Sequence, residues 1–249
     1  MNPDLIRNHT KTVILIWILF IIALPAGIMF GFFLFISSFT VVKFHLSERV
    51  TLLLDAFLSI IFFLQHSILV RPGIKRGLAK VIPEEYYSAF YGLTSGIALL
   101  LLLVFWQKSS TIIASADGIG YWILRGLFCI CLVGFFWGNK ALGSFDVLGV
   151  KRLMRYISKR RDKQQQIMAK GPYSWVRHPL YLFLIIMIWS CPVLTLDRLI
   201  FNILWTIWIV LGTYLEDRDL HREFGSHYRA YSARVPMLIP YRIPRKTPL

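Results

Sequence analysis

The sequence predicts an all-α, polytopic integral membrane protein: about six transmembrane helices and an amphipathic C-terminal helix in the cytoplasm. Three observations carry that expectation. Hydrophobic residues fill 56% of the 249 positions and charged residues only 16%, whereas a soluble domain keeps about 25% charged residues to wet its surface. The apolar residues are gathered into runs close to the ~20 residues that a helix needs to cross a bilayer. The basic excess, 28 Lys+Arg against 13 Asp+Glu for a net charge of +15, falls unevenly between those runs.

Taken in order, Val13 to Ile36 supplies the first span, with Pro25 and Gly27 at an expected kink. Arg7 and Lys11 precede it as they would a signal peptide. The run exceeds the 7–15 residues of a signal h-region, so a retained span is expected. Val50 to Val70 is the second and carries Asp55, Gln65 and His66. Tyr87 to Trp106 and Ile119 to Trp137 are the third and fourth, with Arg125 inside the latter. Leu180 to Leu196 and Leu199 to Leu215 are parted only by Asp197-Arg198, which predicts a tight antiparallel hairpin. Leu180–Leu196 is short for a full crossing, so five spans plus a re-entrant hairpin is the alternative. From Glu216 on, Leu220, Phe224, Tyr228 and Tyr231 recur at spacings of three and four among charged residues. That is the pattern of an amphipathic helix continuing the last span.

Six spans sort the loops onto two sides. One side receives two Lys/Arg at the N-terminus, four in 71–86, ten in 139–179 and seven in 216–249, 23 in all; the other receives five. The basic side is the cytoplasmic one, which places both termini there. The same partition removes nucleic acid as a partner: the positive charge faces anionic headgroups, with Lys151 to Lys163 as a lipid-binding surface segment. Cys129, Cys131 and Cys191 sit in apolar runs without zinc spacing. They read as packed hydrophobes, with no metal site and no disulfide framework.

The densest set of chemistry-bearing residues is Gly171-Pro172-Tyr173-Ser174-Trp175-Val176-Arg177-His178-Pro179-Leu180-Tyr181. Pro179 suits the first turn of a helix, where its missing N–H costs nothing. Arg177 and His178 would then stand at a helix N-terminus, an anion-binding arrangement; an interfacial anchor of aromatics and Arg is the alternative. Glu216-Asp217-Arg218-Asp219-Leu220 begins where the last span ends. A hairpin returns the chain to its starting side, so Arg177-His178 and Glu216-Asp217 should be neighbours. They would form either a ligand site or a set of structural salt bridges.

The order Gly171-x-Tyr173, Arg177-His178-Pro179-x-Tyr181, Glu216-Asp217-x-x-Leu220, Phe224-Gly225-x-x-Tyr228-x-x-Tyr231 and Val235-Pro236-x-x-Ile239-Pro240 resembles the isoprenylcysteine carboxyl methyltransferases and their bacterial relatives. Gln65-His66-Ser67-Ile68-Leu69-Val70-Arg71-Pro72, Lys75-Arg76, Phe105-Trp106-Gln107, Asp146-x-Leu148-Gly149 and Arg218-Asp219-Leu220 narrow the resemblance to the bacterial membrane methanethiol S-methyltransferases. That family uses S-adenosylmethionine to convert methanethiol to dimethyl sulfide.

The resemblance implies a cofactor pocket of Gln165, Gln166, Ile167, Met168, Tyr173, His178, Pro179, Leu180, Tyr181 and Glu216. It implies one membrane methyltransferase domain over 1–249, with a four-span part (1–138) and a cofactor-binding part (139–249), in the bacterial inner membrane. Two departures stand out. Asp217 replaces a second Glu, and Gly212 stands where the prenyl-protein enzymes carry a substrate-binding Arg, which argues against carboxyl methylation. A thiol reacts as its thiolate. The catalytic candidates are therefore His66 as base, Asp146 in reserve, and Arg71 or Arg177 to favour the anion. The expected partners are a small thiol and membrane lipids, with no obligate protein partner. Two rivals remain: a methyltransferase acting on a lipid or isoprenoid, and a non-catalytic membrane binding protein of the denitrification-associated type.

Overall fold

The computed structural model describes residues 3–142, 150–158 and 170–242. Among them the chain is helical almost throughout. The elements are α1 (Pro3–Ile36), α2 (Glu48–Val70), α3 (Pro72–Leu78), α4 (Glu84–Phe105), β1 (Ile112–Ser115), α5 (Gly118–Leu142), α6 (Val150–Ile157), α7 (Pro179–Trp189), β2 (Val193–Thr195) and α8 (Leu196–Arg234). Five are long and apolar enough to cross a membrane: α1 from Thr12, α2, α4, α5 and α8. Their outward faces are apolar, with Trp17, Leu53, Trp122 and Ile130 among the exposed residues, as lipid in place of water requires.

Packing divides the chain into two compact units, with 109–142 packing with the C-terminal part. In the first unit, made of described residues 3–33, 38–108 and 150–158, α1 stays helical through Pro25. Gly96 of α4 admits α1 closely; a Cβ there would lie 2.8 Å from Ala23 Cα. Thr12 and Tyr86 join hydroxyls at 2.8 Å. Leu153, a buried residue of α6, packs with Leu19, Ala23 and Ala89. Arg152 of that helix donates to Glu84 Oε1 at 3.0 Å. The Phe105-Trp106-Gln107 motif is a structural fastener here. Gln107 N–H donates to the buried Asp55 carboxylate (2.9 Å), and its side-chain amide donates to Val42 O (2.7 Å). The Asp inside the second span thereby gains a backbone donor on Oδ1, as burial of a charge demands.

The second unit comprises described residues 34–37, 109–142 and 170–242. Gly134 and Gly138 of α5 let α7 approach: Phe183 and Leu180 fill the places where their Cβ atoms would stand, each at 2.8 Å. This is a small-xxx-small helix contact. The predicted fifth span is the short apolar helix α7 and the sixth lies in α8, with a different boundary between them. α7 ends at Trp189, and the break is Ser190–Thr195 rather than Asp197-Arg198. The reason is local. Pro192 lacks an N–H and restricts its predecessor, while Asp197 is a favourable acid in the first turn of α8. Asp197 accepts Ser109 N–H at 2.9 Å, and Arg198 donates to Leu34 O and Ile188 O. Eleven residues of α7 rise only about 16 Å. The return is completed by β2, which pairs antiparallel with β1 through Ile112↔Thr195 and Ser115↔Val193. That ladder satisfies backbone groups that no helix covers.

Candidate functional site

The far end of the second unit holds the predicted cluster. Gly171 adopts φ +58 and presents its Cα to Trp137, where a Cβ would meet the indole Nε1 at 3.2 Å. It opens a 3₁₀ turn, Gly171–Ser174, that leads to α7. His178 is the residue before α7, and Pro179 its first. The N–H groups of Arg177 and His178 donate to Pro236 O (2.9 Å) and Met237 O (3.1 Å), so the Val235-Pro236 segment anchors the motif.

Asp217 is the hub. Arg177 grips it bidentately, Nε to Oδ1 and Nη2 to Oδ2, both at 2.9 Å. Tyr228 Oη donates to Oδ1 at 2.6 Å, and His178 Nε2 lies 3.3 Å from the same oxygen. Arg177 Nη1 donates to Ser232 O and Val235 O. The guanidinium expected to face an anion is therefore spent on a carboxylate and two carbonyls. Asp217 lies beyond the apolar stretch of α8. Burial alone would raise its carboxyl, but hydrogen bonds from His178 and Tyr228 and the charge of Arg177 overcome that and hold it down to about 2. Burial pushes the phenols of Tyr228, Tyr231 and Tyr173 above their ordinary range.

Gly225 makes this convergence physical. Asp217 and Tyr228 are eleven positions apart, about 16 Å along a straight helix, yet their side chains touch. Gly225, at φ 55 and ψ −122, breaks the helix between them, in backbone space that belongs essentially to glycine. Leu220, Phe224, Tyr228, Tyr231 and Val235 then close a small core. Tyr231 Oη donates to Tyr173 O at 2.7 Å, tying that turn to it.

Beside this core, Glu216 is exposed and accepts Tyr181 Oη at 2.6 Å. The Tyr181 ring stacks on His178, centroids 5.8 Å apart at 25°. Tyr173, Arg177, His178, Pro179, Tyr181 and Glu216 thus form one neighbourhood, whereas Leu180 faces α5. A Cβ at Gly212 would meet nothing within 4 Å, so the position is open and carries no cation. Asp146, Gln165, Gln166, Ile167 and Met168 lie outside the described residues.

In the first unit, His66 and Arg71 fall on a separate feature. His66 Nε2 is 2.6 Å from Tyr91 Oη, and its Nδ1 is 3.3 Å from Ser95 Oγ. Gln65 Nε2 donates to Thr94 Oγ1 at 3.1 Å. Arg71 is half-buried at the corner between α2 and α3. Sequence reasoning missed Tyr91, Thr94 and Ser95. Their spacing of three and four, which sets them on one face of an otherwise apolar span, was a readable signal. No group of three or more His, Cys, Asp or Glu that could hold a metal is gathered among the described residues.

The family described as "Protein of unknown function (DUF1295)" matches residues 86–235. Over 195 residues the chain is 32% identical to methanethiol S-methyltransferase 2 of Bradyrhizobium diazoefficiens, covering 78% of this chain and 75% of the relative. The chain belongs to the methanethiol S-methyltransferase family. It is also 34% identical over 196 residues to the methanethiol S-methyltransferase of Pseudomonas sp. (strain GM41(2012)), covering 76% of this chain and 74% of that one. That of Crocosphaera subtropica is 31% identical over 191 residues, 76% of this chain and 75% of the relative. No solved structure matches. Within this methanethiol S-methyltransferase relative, the matched family segment takes in Tyr91 and Ser95 as well as the whole Asp217 network, and begins after His66 and Arg71.

Proposed function

We propose that this protein is an S-adenosylmethionine-dependent S-methyltransferase of the cytoplasmic membrane that converts methanethiol, or a similarly small thiol, to its methyl sulfide. The observation that carries the reading is the open Glu216 carboxylate, bonded to Tyr181 and set beside the Tyr181–His178 stack. The set suits an amino-acid cofactor bearing a cationic sulfur. A carboxylate accepts from amine or hydroxyl donors, and aromatic faces attract a cation by about 0.5–2 kcal/mol. When bound, the cofactor supplies a methyl group on a sulfonium, which an aligned nucleophile can take directly.

Tyr173, His178, Pro179, Tyr181 and Glu216 are assigned to holding it, together with Gln165 to Met168 and Leu180 by resemblance. Arg177 is assigned to positioning. With its donors committed to Asp217, Ser232 and Val235, it fixes His178 and the start of α7. Asp217 also sets the His178 tautomer, because a carboxylate only accepts and Nε2 must then carry the proton. His66 is the candidate base of the first unit, with Arg71 and Asp146 in reserve. The absence of a cation at Gly212 favours a neutral acceptor over a carboxylate-bearing one.

The test is headspace gas chromatography of cells expressing the protein and supplied with methanethiol, with Glu216→Ala as control. Dimethyl sulfide made by the wild type and lost in the variant is the expected result. Equal product from both would remove Glu216 from the site. No product, with cofactor binding retained in a titration, would move the acceptor to a lipid or isoprenoid. No cofactor binding at all would favour a non-catalytic binding protein.

A further inference from the structure

The first unit carries a polar cluster that the cofactor assignment leaves unused. It lies where α2 meets α4, in the part of both helices that is otherwise apolar: Gln65 and His66 from one, Tyr91, Thr94 and Ser95 from the other. Polar side chains in membrane helices are costly and face protein or a cavity, and they mark functional paths more often than chance. His66 and Tyr91 are both half-buried, so the pair is sheltered but not sealed.

The hydrogen bonds assign the protons. Tyr91 Oη and His66 Nε2 are 2.6 Å apart, and a phenol is a better donor than a neutral imidazole N–H. Tyr91 therefore donates to Nε2, and His66 carries its own proton on Nδ1, directed at Ser95 Oγ (3.3 Å). In that tautomer the basic lone pair of His66 is covered by the Tyr91 hydroxyl. A second observation points to a donor-bearing ligand: Gln65 Oε1 is buried without a hydrogen-bond partner, while its Nε2 is held by Thr94 and Ser95. A buried acceptor left unmatched is costly, and an S–H or O–H donor relieves it.

We infer that Tyr91, with His66 behind it, is the group that deprotonates the acceptor thiol, and that Gln65 helps to hold it. The inference rests on the thiol-methylation reading and adds a residue to it. The step balances: the S–H bond breaks and its proton goes to Tyr91 Oη, while the Tyr91 proton passes to His66 Nε2. The thiolate keeps the S–H electron pair, and the imidazolium retains Nδ1–H toward Ser95. After transfer the imidazolium releases one proton to water, resetting the pair. Tyr91 is a catalytic residue in this scheme, His66 acts through it, and Ser95 positions the ring.

The test compares wild type with Tyr91→Phe and His66→Gln in purified membrane protein, reading cofactor binding by titration and methanethiol turnover against pH. His66 is met by Tyr91 and Ser95 of α4 and by Phe62 of α2. Tyr91→Phe should bind the cofactor as the wild type does and lose about 10²–10⁴-fold in turnover at neutral pH, the range of positioned proton transfer. The deficit should shrink as pH rises toward the thiol's own ionisation, because a ready-made thiolate needs no base. His66→Gln should show the same convergence. A deficit that stays constant with pH, or a loss under about threefold, overturns the inference and makes the pair structural. Wild-type protein with no turnover sinks the underlying reading instead.

Discussion

At the residue scale, two neighbouring carboxylates have opposite fates. Glu216 is exposed and answered by one phenol, whereas Asp217 is buried under Arg177, Tyr228 and His178. Glu216→Ala should abolish cofactor binding in a titration while leaving thermal unfolding unchanged; normal binding would remove it from the pocket. Arg177→Ala leaves a buried carboxylate uncompensated and should cost about 3–5 kcal/mol in reversible unfolding; a cost below 1 kcal/mol would make the bidentate pair decorative. The sign of the pH effect follows from the depressed Asp217. Its contribution is complete above about pH 4, the unfolded carboxyl range, and is lost as pH falls through about 2. The melting-temperature gap between wild type and Asp217→Asn should therefore be flat from pH 7 to 4 and narrow only below. A gap that closes already near pH 6 would assign the effect to a histidine.

At the element scale, glycines decide how helices meet and where they stop. Gly225→Ala forces a side chain into φ 55, ψ −122 and should cost about 1–3 kcal/mol, with cofactor affinity falling as Asp217 and Tyr228 separate. Retained affinity would mean that the break serves packing alone. Gly134→Leu collides with the Phe183 ring and should destabilise the α5–α7 contact by about 1–3 kcal/mol. The length of α7 is set by the same logic. Pro192 stops the helix, and the β1–β2 ladder carries the chain on to α8.

For the whole molecule, the 23-to-5 distribution of basic residues predicts cytoplasmic termini and an external β1–β2 ribbon. Single-cysteine variants in a background without Cys129, Cys131 and Cys191 check this. An impermeant maleimide added to intact cells should label a cysteine at position 112 and spare one at 234; the reverse pattern would invert the topology.

The sequence alone determined the spans, their number within one, the side bearing the charge, and the Arg177–His178/Glu216–Asp217 pairing. Each depends on patterns local to the chain: run length, charge count, and the fact that a hairpin returns to its starting side. The Tyr228 contact was not legible, because it needs the helix broken at Gly225. Nor was the Tyr91 contact, because residues 25 apart on different helices meet only once α2 and α4 are in register. For the same reason, tertiary packing alone decided that Arg177 is spent on Asp217 while Glu216 stays open. Adjacent positions on a helix differ by about 100° of rotation, and what each one faces is settled by the elements packed around it.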